Sequence, residues 1–553
     1  MSINISELSG RKGLDQNLFE QIGLLAKETG SLSTAQLEEL ANEFLIGKAN
    51  TYGSASFYDF TREENKGKKV YVCNGSACLC AGTQPDVHEK LKQHYKEEEI
   101  GDMCCLGRCH ENSAFHIDGV NYSGDAIDHL AAVVLQKETD KLIPNDTYRV
   151  NHFGTAVLTA SYPAIPTYYQ TLLAALNKSR EALLDEIKIA GVRGRGGAGF
   201  PMSFKLEACK NEVNETKFVV CNADEGDPGA YSDRYLLEQR PHSVIMGMMI
   251  AGYVIGAETG VIYIRGEYPE AVNICEAELI TLRNLHLLGK DIAGTGFNFD
   301  FKIIKAQGAY ICGEETALLS SIEGQRPEVR VRPPYPAQKG LFNKPTIVHN
   351  VETLACLPYI IEQGGSAFAQ IGKGRSTGTK LVSLDSHFNF PGIYEVDMGT
   401  PLRTVIDALG GGFKSVIKAM HIGGPLGGLV PVSKIDDLSI DFESFSQQGF
   451  LLGHASIICL PTSFPILDYI KHLFQFTAHE SCGKCFPCRI GSTRGYEMIH
   501  KAQTSDYKID KQLLNDLLET LEIGSLCALG GGLPLPIKNA LLHFENELSE
   551  WIQ

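Results

Sequence analysis

Apolar residues recur at helical spacing near both ends of the chain. LFEQIGLLAKETG and TAQLEELANEFLI predict short helices between residues 15 and 60. Further stripes after residue 460 predict the helices of a terminal bundle. They comprise Ile466, Leu467, Ile470, Leu473 and Phe474, then Leu513, Leu514, Leu517, Leu518 and Leu521, and last Leu541, Phe544, Leu548 and Ile552.

Strands and helices alternate between residues 66 and 137. An apolar strand at 70–72 precedes an amphipathic helix, and a hairpin follows whose turn is Asp118-Gly119. Asp-Gly supplies the positive φ angles that a tight hairpin needs. A last amphipathic helix covers 127–134. This β-α-β-β-α order predicts a small thioredoxin-like module.

The middle of the chain changes character twice. A Gly-rich alternation of helices and strands is typical of an α/β domain, and short strands around one helix (LRTVIDAL) follow it. The predicted organisation is an N-terminal helical segment (1–65), a thioredoxin-like domain (66–137), a polar linker (138–150), an α/β domain (151–375), a smaller strand-rich domain (376–456) and a helix bundle (457–553).

Composition narrows the classes of protein. The 553 residues exceed what one core usually supports. The net charge of −16 argues against a nucleic-acid binder, which needs clustered Lys and Arg. The apolar stretch from Val244 to Ala257 is shorter than the ~20 residues that span a bilayer and predicts a buried helix. No direct membrane insertion is expected, and an N-terminus without an apolar signal core predicts a cytoplasmic protein.

Four of the 16 cysteines form a C-terminal constellation. Cys482, Cys485 and Cys488 are separated by two residues each, and Cys527 follows much later. Soft thiolates bind zinc or iron–sulfur clusters. Structural zinc sites generally use two pairs of ligands, whereas a CxxCxxC triplet resembles the cubane-binding runs of ferredoxins. We predict a [4Fe–4S] cluster, with structural zinc or unliganded thiols as the alternatives.

A second group of cysteines lies in the thioredoxin-like module. Two pairs with four- and three-residue gaps suit a [2Fe–2S] rhomb, in which each iron takes two ligands; zinc or a dithiol redox pair are the alternatives. Cys80 and Cys104 are spare. The predicted ligands, chosen because they follow strand ends with the right spacing, are Cys73, Cys78, Cys105 and Cys109.

A glycine-rich segment, GRGGAG at 194–199, satisfies the GxGxxG expression for dinucleotide binding. Its context does not fit a Rossmann motif, because a helix precedes the glycines where that motif has a strand. Glycines still allow backbone amides to approach a phosphate or a flat ring, and a tight structural turn is the alternative. Polar groups at 222–225 and 314–315 follow predicted strand ends, where ligands of α/β domains usually lie. Helix N-caps or solvated surface are their alternatives.

Together these motifs resemble the flavoprotein subunit of NADH dehydrogenase of the respiratory complex I type. The same family includes the diaphorase subunits of NAD-reducing hydrogenases and of NAD-dependent formate dehydrogenases. Residues 15–135 resemble the family's separate small [2Fe–2S] subunit, fused here at the N-terminus. The likeness in the rest of the chain is carried by GVRGRGGAGFP, CNADEGDPGAYSDR, IYIRGEYPEA, GAYICGEETALLSSIEG, RPPYPAQKGLFNKPTIVHNVETL, ESCGKCFPCR and SLCALGG.

The resemblance implies a fold and a set of cofactors. The implied fold is an α/β multidomain chain with a thioredoxin-like ferredoxin domain, an α/β FMN domain, a ubiquitin-like β-grasp domain and a C-terminal four-helix bundle. The implied cofactors are FMN, NAD(H), one [4Fe–4S] cluster and one [2Fe–2S] cluster. Hydride transfer between nicotinamide and flavin needs no general acid or base, so no catalytic side chain is expected.

The resemblance also implies roles for individual residues. Phe200, Glu315, Arg332 and Tyr335 would hold the dinucleotide. The residues expected around FMN are Gly194, Gly196, Gly197, Gly199, Lys205, Asn222, Asp224, Tyr310, Gly313, Glu314, His349 and Asn350, and the predicted cofactor-binding set is completed by Arg195, Ala198, Glu225, Asp227 and Val348.

Two departures from the family pattern bear on the context. Position 227 is Asp where respiratory relatives usually carry Glu, and GDPGA is more similar to the hydrogenase and formate dehydrogenase branch. His349 stands where many relatives have Asn and adds a titratable group. We therefore expect the diaphorase subunit of an NAD-dependent formate dehydrogenase or NAD-reducing hydrogenase, with iron–sulfur and catalytic subunits as partners. The alternatives are a respiratory complex I subunit and a zinc-stapled scaffold.

Overall fold

The structure is a computed structural model that describes residues 13–14, 17–29, 31–135 and 148–553. The predicted linker at 138–150 lies outside the described residues apart from 148–150, as do the first residues of the predicted N-terminal segment.

The N-terminal helices lie on the α/β domain. They are α1 (Leu18–Thr29), α2 (Thr34–Glu43) and α3 (Lys48–Ala55). The Asn17 side-chain amide donates to the Ile322 carbonyl at 2.6 Å, and the Ser54 hydroxyl donates to the Gly324 carbonyl at 2.9 Å. These buried hydrogen bonds hold the segment against the domain that carries Ile322.

The thioredoxin-like module is a four-stranded sheet in the order β2-β1-β3-β4, flanked by short helices. Strands β1 and β2 pair in parallel and the other pairs are antiparallel. The predicted order of elements omitted β2, because IGDM carries no alternation of apolar and polar residues. The elements are β1 (Val70–Cys73), α4 (Ser76–Ala81), α5 (Gln84–Leu91), β2 (Ile100–Met103), β3 (Phe115–Ile117), β4 (Val120–Tyr122) and α6 (Leu130–Leu135).

The first strand after the gap belongs to a distant sheet. Strand β5 (Arg149–Phe153) crosses the predicted boundary at 150 and pairs in parallel with the strand Gly392–Asp397. The chain therefore touches its later strand-rich domain before it enters the α/β domain.

The α/β domain contains a parallel four-stranded sheet in the order β8-β7-β6-β9. Its strands are β6 (Phe218–Ala223), β7 (Thr259–Ile264), β8 (Asp300–Lys305) and β9 (Thr346–Asn350). Its helices are α7 (Ile165–Tyr168), α8 (Gln170–Leu176), α9 (Arg180–Ala190), α10 (Met202–Asn211), α11 (Ser232–Gln239), α12 (Pro241–Ile255), α13 (Pro269–Asn284), α14 (Glu315–Ile322), α15 (Pro336–Lys339), α16 (Val351–Ala355), α17 (Leu357–Gln363) and α18 (Gly365–Gln370).

Helix α12 confirms the buried helix predicted at 244–257, since nearly every side chain of α12 is buried. In the part of the chain that the structure describes, no helix is both long and apolar enough to cross a membrane.

The strand-rich domain, called here the β-grasp domain, is a mixed sheet in the order β15-β14-β16-β12-β13-β5. The helix predicted from LRTVIDAL is observed as α19, which continues as a π-helical turn over 405–409. The elements are β10 (Gly372–Lys373), β11 (Ser376–Thr377), β12 (Thr379–Leu384), β13 (Gly392–Asp397), α19 (Leu402–Thr404), β14 (Ile417–Ile422), β15 (Gly428–Pro431), α20 (Phe442–Gln447) and β16 (Ser456–Pro461).

The C-terminal helices bury most of the predicted stripes. One member was wrong: Leu513 is 51% exposed, because the buried face of its helix is formed by Leu514, Leu518 and Leu521. The predicted α/β multidomain fold with a helical end is confirmed. The helices are α21 (Ile466–Glu480), α22 (Ser492–Thr504), α23 (Lys511–Gly524), α24 (Ala528–Gly532), α25 (Pro534–His543) and α26 (Glu545–Leu548).

The packing of α12 predicts an effect on stability. A methyl group on Gly247 would overlap the Leu354 carbonyl oxygen on α16, and backbone cannot rotate away as a side chain can. Gly247→Ala should therefore lower the free energy of unfolding by about 1–3 kcal/mol, seen as a lower Tm by circular dichroism. The matched control is Gly53→Ala on α3, where nothing lies within 4 Å and stability should hold or rise. Equal Tm values for the two variants would contradict this packing.

Candidate functional site

The glycine-rich segment forms a loop between two helices. Helix α9 ends at Ala190, so no strand precedes the glycines, as the sequence predicted. The Gly194 amide donates to the Phe200 carbonyl at 2.8 Å and closes the loop. Gly197 and Gly199 have φ values of +120° and +59°, which favour glycine. The segment, including Ala198, therefore presents backbone with little side chain.

Arg195 is the exception within this loop. Its guanidinium is fully buried and donates to Met398 Sδ at 2.7 Å and to the Thr377 carbonyl at 2.6 Å, both in the β-grasp domain. Its amide donates to Thr353 Oγ1 at 2.8 Å. The Arg195 side chain thus anchors the loop to its surroundings. The part of the 194–199 loop that can contact a ligand is therefore its backbone.

The ends of β6 and β9 bring polar side chains together. The two strands pair in parallel, with Asn222 opposite Asn350. Asn222 donates to the Gly313 carbonyl at 2.8 Å, and a Cβ on Gly313 would lie 3.7 Å from Asp224 Oδ2. A Cβ on Gly196 would lie 3.0 Å from Asn350 Cβ, so the glycine loop meets the same strand end. The structure therefore brings these predicted residues to one edge of the sheet.

Two buried polar atoms at this edge have no hydrogen-bond partner among the described residues. They are His349 Nε2 and Asp224 Oδ2. Burial, followed by the Lys205 charge, holds the pKa of His349 well below its usual value. Burial raises the pKa of Asp224 well above its usual value. Unpaired buried groups are costly, and a ligand with hydroxyls and ring heteroatoms would satisfy both. The glycine cradle and these atoms fit FMN.

The carboxylate of Glu225, which was predicted to bind the cofactor, accepts hydrogen bonds from other groups of the protein. It accepts from the amides of Asp233 at 2.9 Å and Arg234 at 3.1 Å, and from the Tyr268 hydroxyl at 3.1 Å. Glu225 therefore caps the first turn of α11, which is the helix-cap alternative.

Glu314 and Glu315 begin a helix and do not follow a strand, so the predicted strand end was wrong. Residues 310–313 form a 3₁₀ turn, and Glu314 accepts from the amides of Thr316 and Ala317 at 2.9 Å. Two acidic residues before ALLSSI favour a helix N-terminus through its dipole.

Glu315 lies between two cations at the open side of the site. Its carboxylate is 2.6 Å from Lys205 Nζ and 3.0 Å from Arg332 Nη1. Lys205 also donates to the carbonyl of Val348 at 3.3 Å. Nearby aromatic rings are exposed: Phe200 is 45%, Phe204 63% and Tyr335 55% exposed. The sequence prediction missed Phe204, although its spacing of four from Phe200 places both rings on one side of a helix start.

The C-terminal cysteines surround one point beside this site. Cys482 and Cys485 lie between α21 and the π-helical turn 487–491, Cys488 lies within that turn, and Cys527 caps α24. Burial raises the pKa of Cys488 to about 12, with charge on the other three cysteines adding to it. The Cys488 thiolate would therefore form only against a cation, as metal binding requires.

The N-terminal cysteines also converge. Cys73 ends β1, Cys78 lies on α4, and the Sγ atoms of Cys105 and Cys109 are 3.4 Å apart. A Cβ on Gly75 would lie 3.5 Å from Cys73 Sγ and 3.2 Å from Cys105 Cβ, so glycine keeps this space open. The four predicted thiols are buried around one volume.

The two spare cysteines have neighbours outside the predicted ligand set. Burial, followed by the charges of Asp385 and Cys78, raises the pKa of Cys80, and Cys104 borders a small cavity with Asp224 and Glu480.

The three predicted cofactor sites share a small set of loops. The Gly229 amide donates to Cys109 Sγ at 3.3 Å, two residues after Asp227. Arg265, which the sequence prediction missed, donates to the carbonyls of Glu225 at 2.5 Å and Cys104 at 3.1 Å. On the other side the Tyr310 amide donates to Glu480 Oε2 at 2.8 Å, at the end of α21 and next to the C-terminal cysteines.

Comparison with protein families agrees with this arrangement. The model described as the Nuo51 FMN-binding domain matches residues 187–359. That of the NADH-ubiquinone oxidoreductase-F iron-sulfur binding region matches 468–551, and that of the thioredoxin-like [2Fe-2S] ferredoxin matches 7–137. FMN, a [4Fe–4S] cluster and a [2Fe–2S] cluster are the cofactors of these regions.

Alignments of this chain with individual relatives cover most of the length of each relative. The NADP-reducing hydrogenase subunit HndC of Solidesulfovibrio fructosivorans is 41% identical over 68% of this chain and 78% of its own. The F 2 subunit of the NADH-quinone oxidoreductase of Rhizobium meliloti is 38% identical over 70% of this chain and 92% of its own.

A solved structure extends the match to the N-terminal module. A chain of the NAD+-reducing [NiFe]-hydrogenase in the air-oxidized state superposes with a TM-score of 0.84 and 27% identity, over 97% of this chain and 94% of that one. Together these matches show that the chain belongs to the family of FMN-binding flavoprotein subunits that occur in NADH-quinone oxidoreductases and NAD(P)-reducing hydrogenases.

Proposed function

We propose that this chain is the NAD(H)-dependent diaphorase subunit of a larger redox complex, passing electrons between NAD(H), FMN and two iron–sulfur clusters. The observation that carries the proposal is the meeting of the three predicted cofactor sites at the loops 222–229 and 310–315. Bound FMN would exchange an electron pair with the nicotinamide as hydride and single electrons with the clusters.

The chain's own residues would hold the flavin in place. We propose that the backbone of the 194–199 loop approaches FMN, because this loop presents few side chains. Asn222, Asp224, His349 and Asn350 line the same edge, and two of them keep an unpaired polar atom for a ligand. Arg195 and Glu225 would support these residues from behind, since the protein already uses both side chains.

The open side of the site suits a dinucleotide. The exposed rings of Phe200 and Tyr335 offer faces for a base, and stacking of aromatic groups contributes about 1 kcal/mol beyond area burial. Lys205 and Arg332 are cations for phosphate groups, and Glu315 between them can accept hydrogen bonds from ribose hydroxyls. The described groups therefore supply orientation and charge, and none is needed as a proton shuttle.

We propose Cys482, Cys485, Cys488 and Cys527 as ligands of the [4Fe–4S] cluster. The proposed ligands of the [2Fe–2S] cluster are Cys73, Cys78, Cys105 and Cys109. None of the 16 cysteines, all of which lie among the described residues, forms a disulfide, so all of them are available as ligands, as expected in a reducing compartment.

A hydrogenase-type complex is the context that we favour. The likeness to the NAD+-reducing [NiFe]-hydrogenase chain spans 97% of this chain and so includes the fused N-terminal module. The formate dehydrogenase context rests on the sequence resemblance around Asp227. Identity of 38–41% to quinone oxidoreductase subunits supports the respiratory alternative. Membership of a flavoprotein family argues against the zinc-stapled scaffold.

The proposed function is tested on the purified holoprotein. NADH should reduce ferricyanide or an artificial dye, FMN should be released on denaturation, and iron should far exceed zinc by elemental analysis. Copurifying nickel–iron subunits would support the hydrogenase context, and membrane-bound quinone-linked subunits would support the respiratory one. A holoprotein that contains flavin and clusters and yet fails to oxidise NADH would refute the proposal.

Loss of one C-terminal thiol should separate hydride transfer from electron exit. Cys485→Ser removes a proposed cubane ligand, so the [4Fe–4S] electron paramagnetic resonance signal and electron delivery to the natural partner should disappear. NADH should still bleach the flavin absorbance. The control is Cys275→Ser, a buried thiol on α13 that lies away from the cysteines proposed as ligands. Normal delivery to the partner by Cys485→Ser would exclude this ligand assignment.

Paired substitutions should distinguish ligand from spare cysteines in the N-terminal module. Cys105→Ser should remove the [2Fe–2S] signal, because its Sγ lies 3.4 Å from that of Cys109. Cys80→Ser should retain the signal, although Cys80 is equally buried. Iron content and the low-temperature spectrum measure both. The opposite pattern would show that the cluster uses Cys80.

Removing the carboxylate between the two cations should act on dinucleotide binding. Glu315→Gln should raise the KM for NADH severalfold with little change in kcat, because a ribose acceptor is lost. It should also improve the use of NADPH, since Lys205 and Arg332 become free to bind a 2′-phosphate. The control is Glu328→Gln, whose nearest cations, Lys484 and Arg326, lie 3.9 and 4.0 Å away. A change confined to kcat would argue against this role.

A further inference from the structure

Three polar side chains, of which His454 is buried, connect the β-grasp domain to the proposed flavin site. Tyr310 donates its hydroxyl hydrogen to Asp227 Oδ1 at 2.6 Å, and His454 Nε2 lies 2.8 Å from Asp227 Oδ2. His454 precedes β16, whereas Asp227 and Tyr310 belong to the α/β domain. One oxygen of the Asp227 carboxylate therefore contacts the α/β domain, and the other contacts the β-grasp domain.

The second nitrogen of His454 fixes where its protons lie. The Ser456 amide donates to His454 Nδ1 at 3.3 Å, so the neutral ring carries its hydrogen on Nε2, facing Asp227. The groups that face the ring are the carboxylates of Asp227 and Glu225, the ammonium of Lys380 and the imidazole of His421. Burial alone lowers the pKa of His454, but Asp227 and then Glu225 outweigh it and raise that pKa above its usual value.

The surroundings leave Asp227 and Tyr310 little freedom. A Cβ on Gly424 would lie 2.6 Å from Asp227 Oδ1, and one on Gly226 would lie 2.8 Å from Tyr310 Cδ2. The Tyr310 ring packs edge-on against Phe476 at 5.0 Å between centroids. Packing therefore holds the Tyr310 ring, and the Asp227 carboxylate sets the direction of its hydroxyl hydrogen. The other oxygen of that carboxylate is in contact with His454.

We propose that His454 is a positioning residue for the flavin site. Through its contact with Asp227 it keeps that carboxylate oriented, and so holds Tyr310 in the geometry that receives FMN. This inference rests on the proposed function for the identity of the ligand, and it assigns the β-grasp domain a direct part in preparing the site.

The test measures the dissociation constant of FMN for flavin-free protein, by flavin fluorescence, from pH 6 to 9. His454→Leu removes the donor and should weaken FMN binding about tenfold at neutral pH, the cost of leaving Asp227 without one partner. In the wild type the imidazolium is present below the raised pKa of His454 and lost above it. Above that value the ring keeps its hydrogen on Nε2 but loses its charge, which weakens its interaction with the Asp227 carboxylate. FMN binding should therefore weaken as the pH rises through that value, and His454→Gln should abolish this step.

A double-mutant cycle shows whether the effect passes through Tyr310. In a Tyr310→Phe background, His454→Leu should change FMN binding far less than it does in the wild type. The matched control is His242→Gln, which removes a buried imidazole of the α/β domain that lies 3.1 Å from the carboxylate of Glu278. It should keep the wild-type constant and its pH dependence. Circular dichroism and iron content verify folding, and the Gln variant decides the matter if the Leu variant does not fold.

The inference is overturned if both His454 variants bind FMN as the wild type does at every pH. It is also overturned if His454→Leu weakens binding equally with and without the Tyr310 hydroxyl. Failure of the proposed function would look different, because the wild type itself would then neither bind FMN nor reduce a dye with NADH.

Discussion

The buried guanidinium of Arg265 is the interaction on which the arrangement of the sites depends. It follows β7, pairs with Glu267 at 3.0 Å, and donates to backbone carbonyls of the loop after β6 and of the N-terminal cysteine loop. Removing one partner of such a buried pair costs about 3–5 kcal/mol. A single side chain thereby links a loop of the proposed flavin site to a loop of the proposed [2Fe–2S] site.

The opposite side of the site is held by a second buried contact. Glu480 ends α21 two residues before Cys482 and accepts the Tyr310 amide. Burial raises the pKa of Glu480 to about 7 and also raises that of Asp224. In such buried surroundings the low local dielectric makes each hydrogen bond and each charge stronger than at the surface. The proposed flavin site is consequently formed jointly by the α/β domain, the bundle and the β-grasp domain.

Individual residues show how far prediction from the sequence reached. The spacing of Cys482, Cys485 and Cys488 indicated an iron–sulfur cluster because ligand geometry is encoded in local separation. Arg195 and Glu225 belong to the predicted cofactor-binding set, which stays a prediction, and the structure adds that the Arg195 side chain anchors the glycine loop and that Glu225 caps α11. A motif identifies a loop but does not show which of its polar side chains are hydrogen-bonded within the protein.

By itself the sequence determined the domains in outline, both cysteine constellations, the glycine-rich loop and the family, because these depend on local spacing and on motifs in order. Only the tertiary structure decided that β5 joins a sheet whose other strands lie some 240 residues later. It also decided that Arg265 links two loops of the proposed cofactor sites and that His454 contacts Asp227. Those contacts join residues far apart in the chain, and packing and burial select them among many partners that periodicity cannot distinguish.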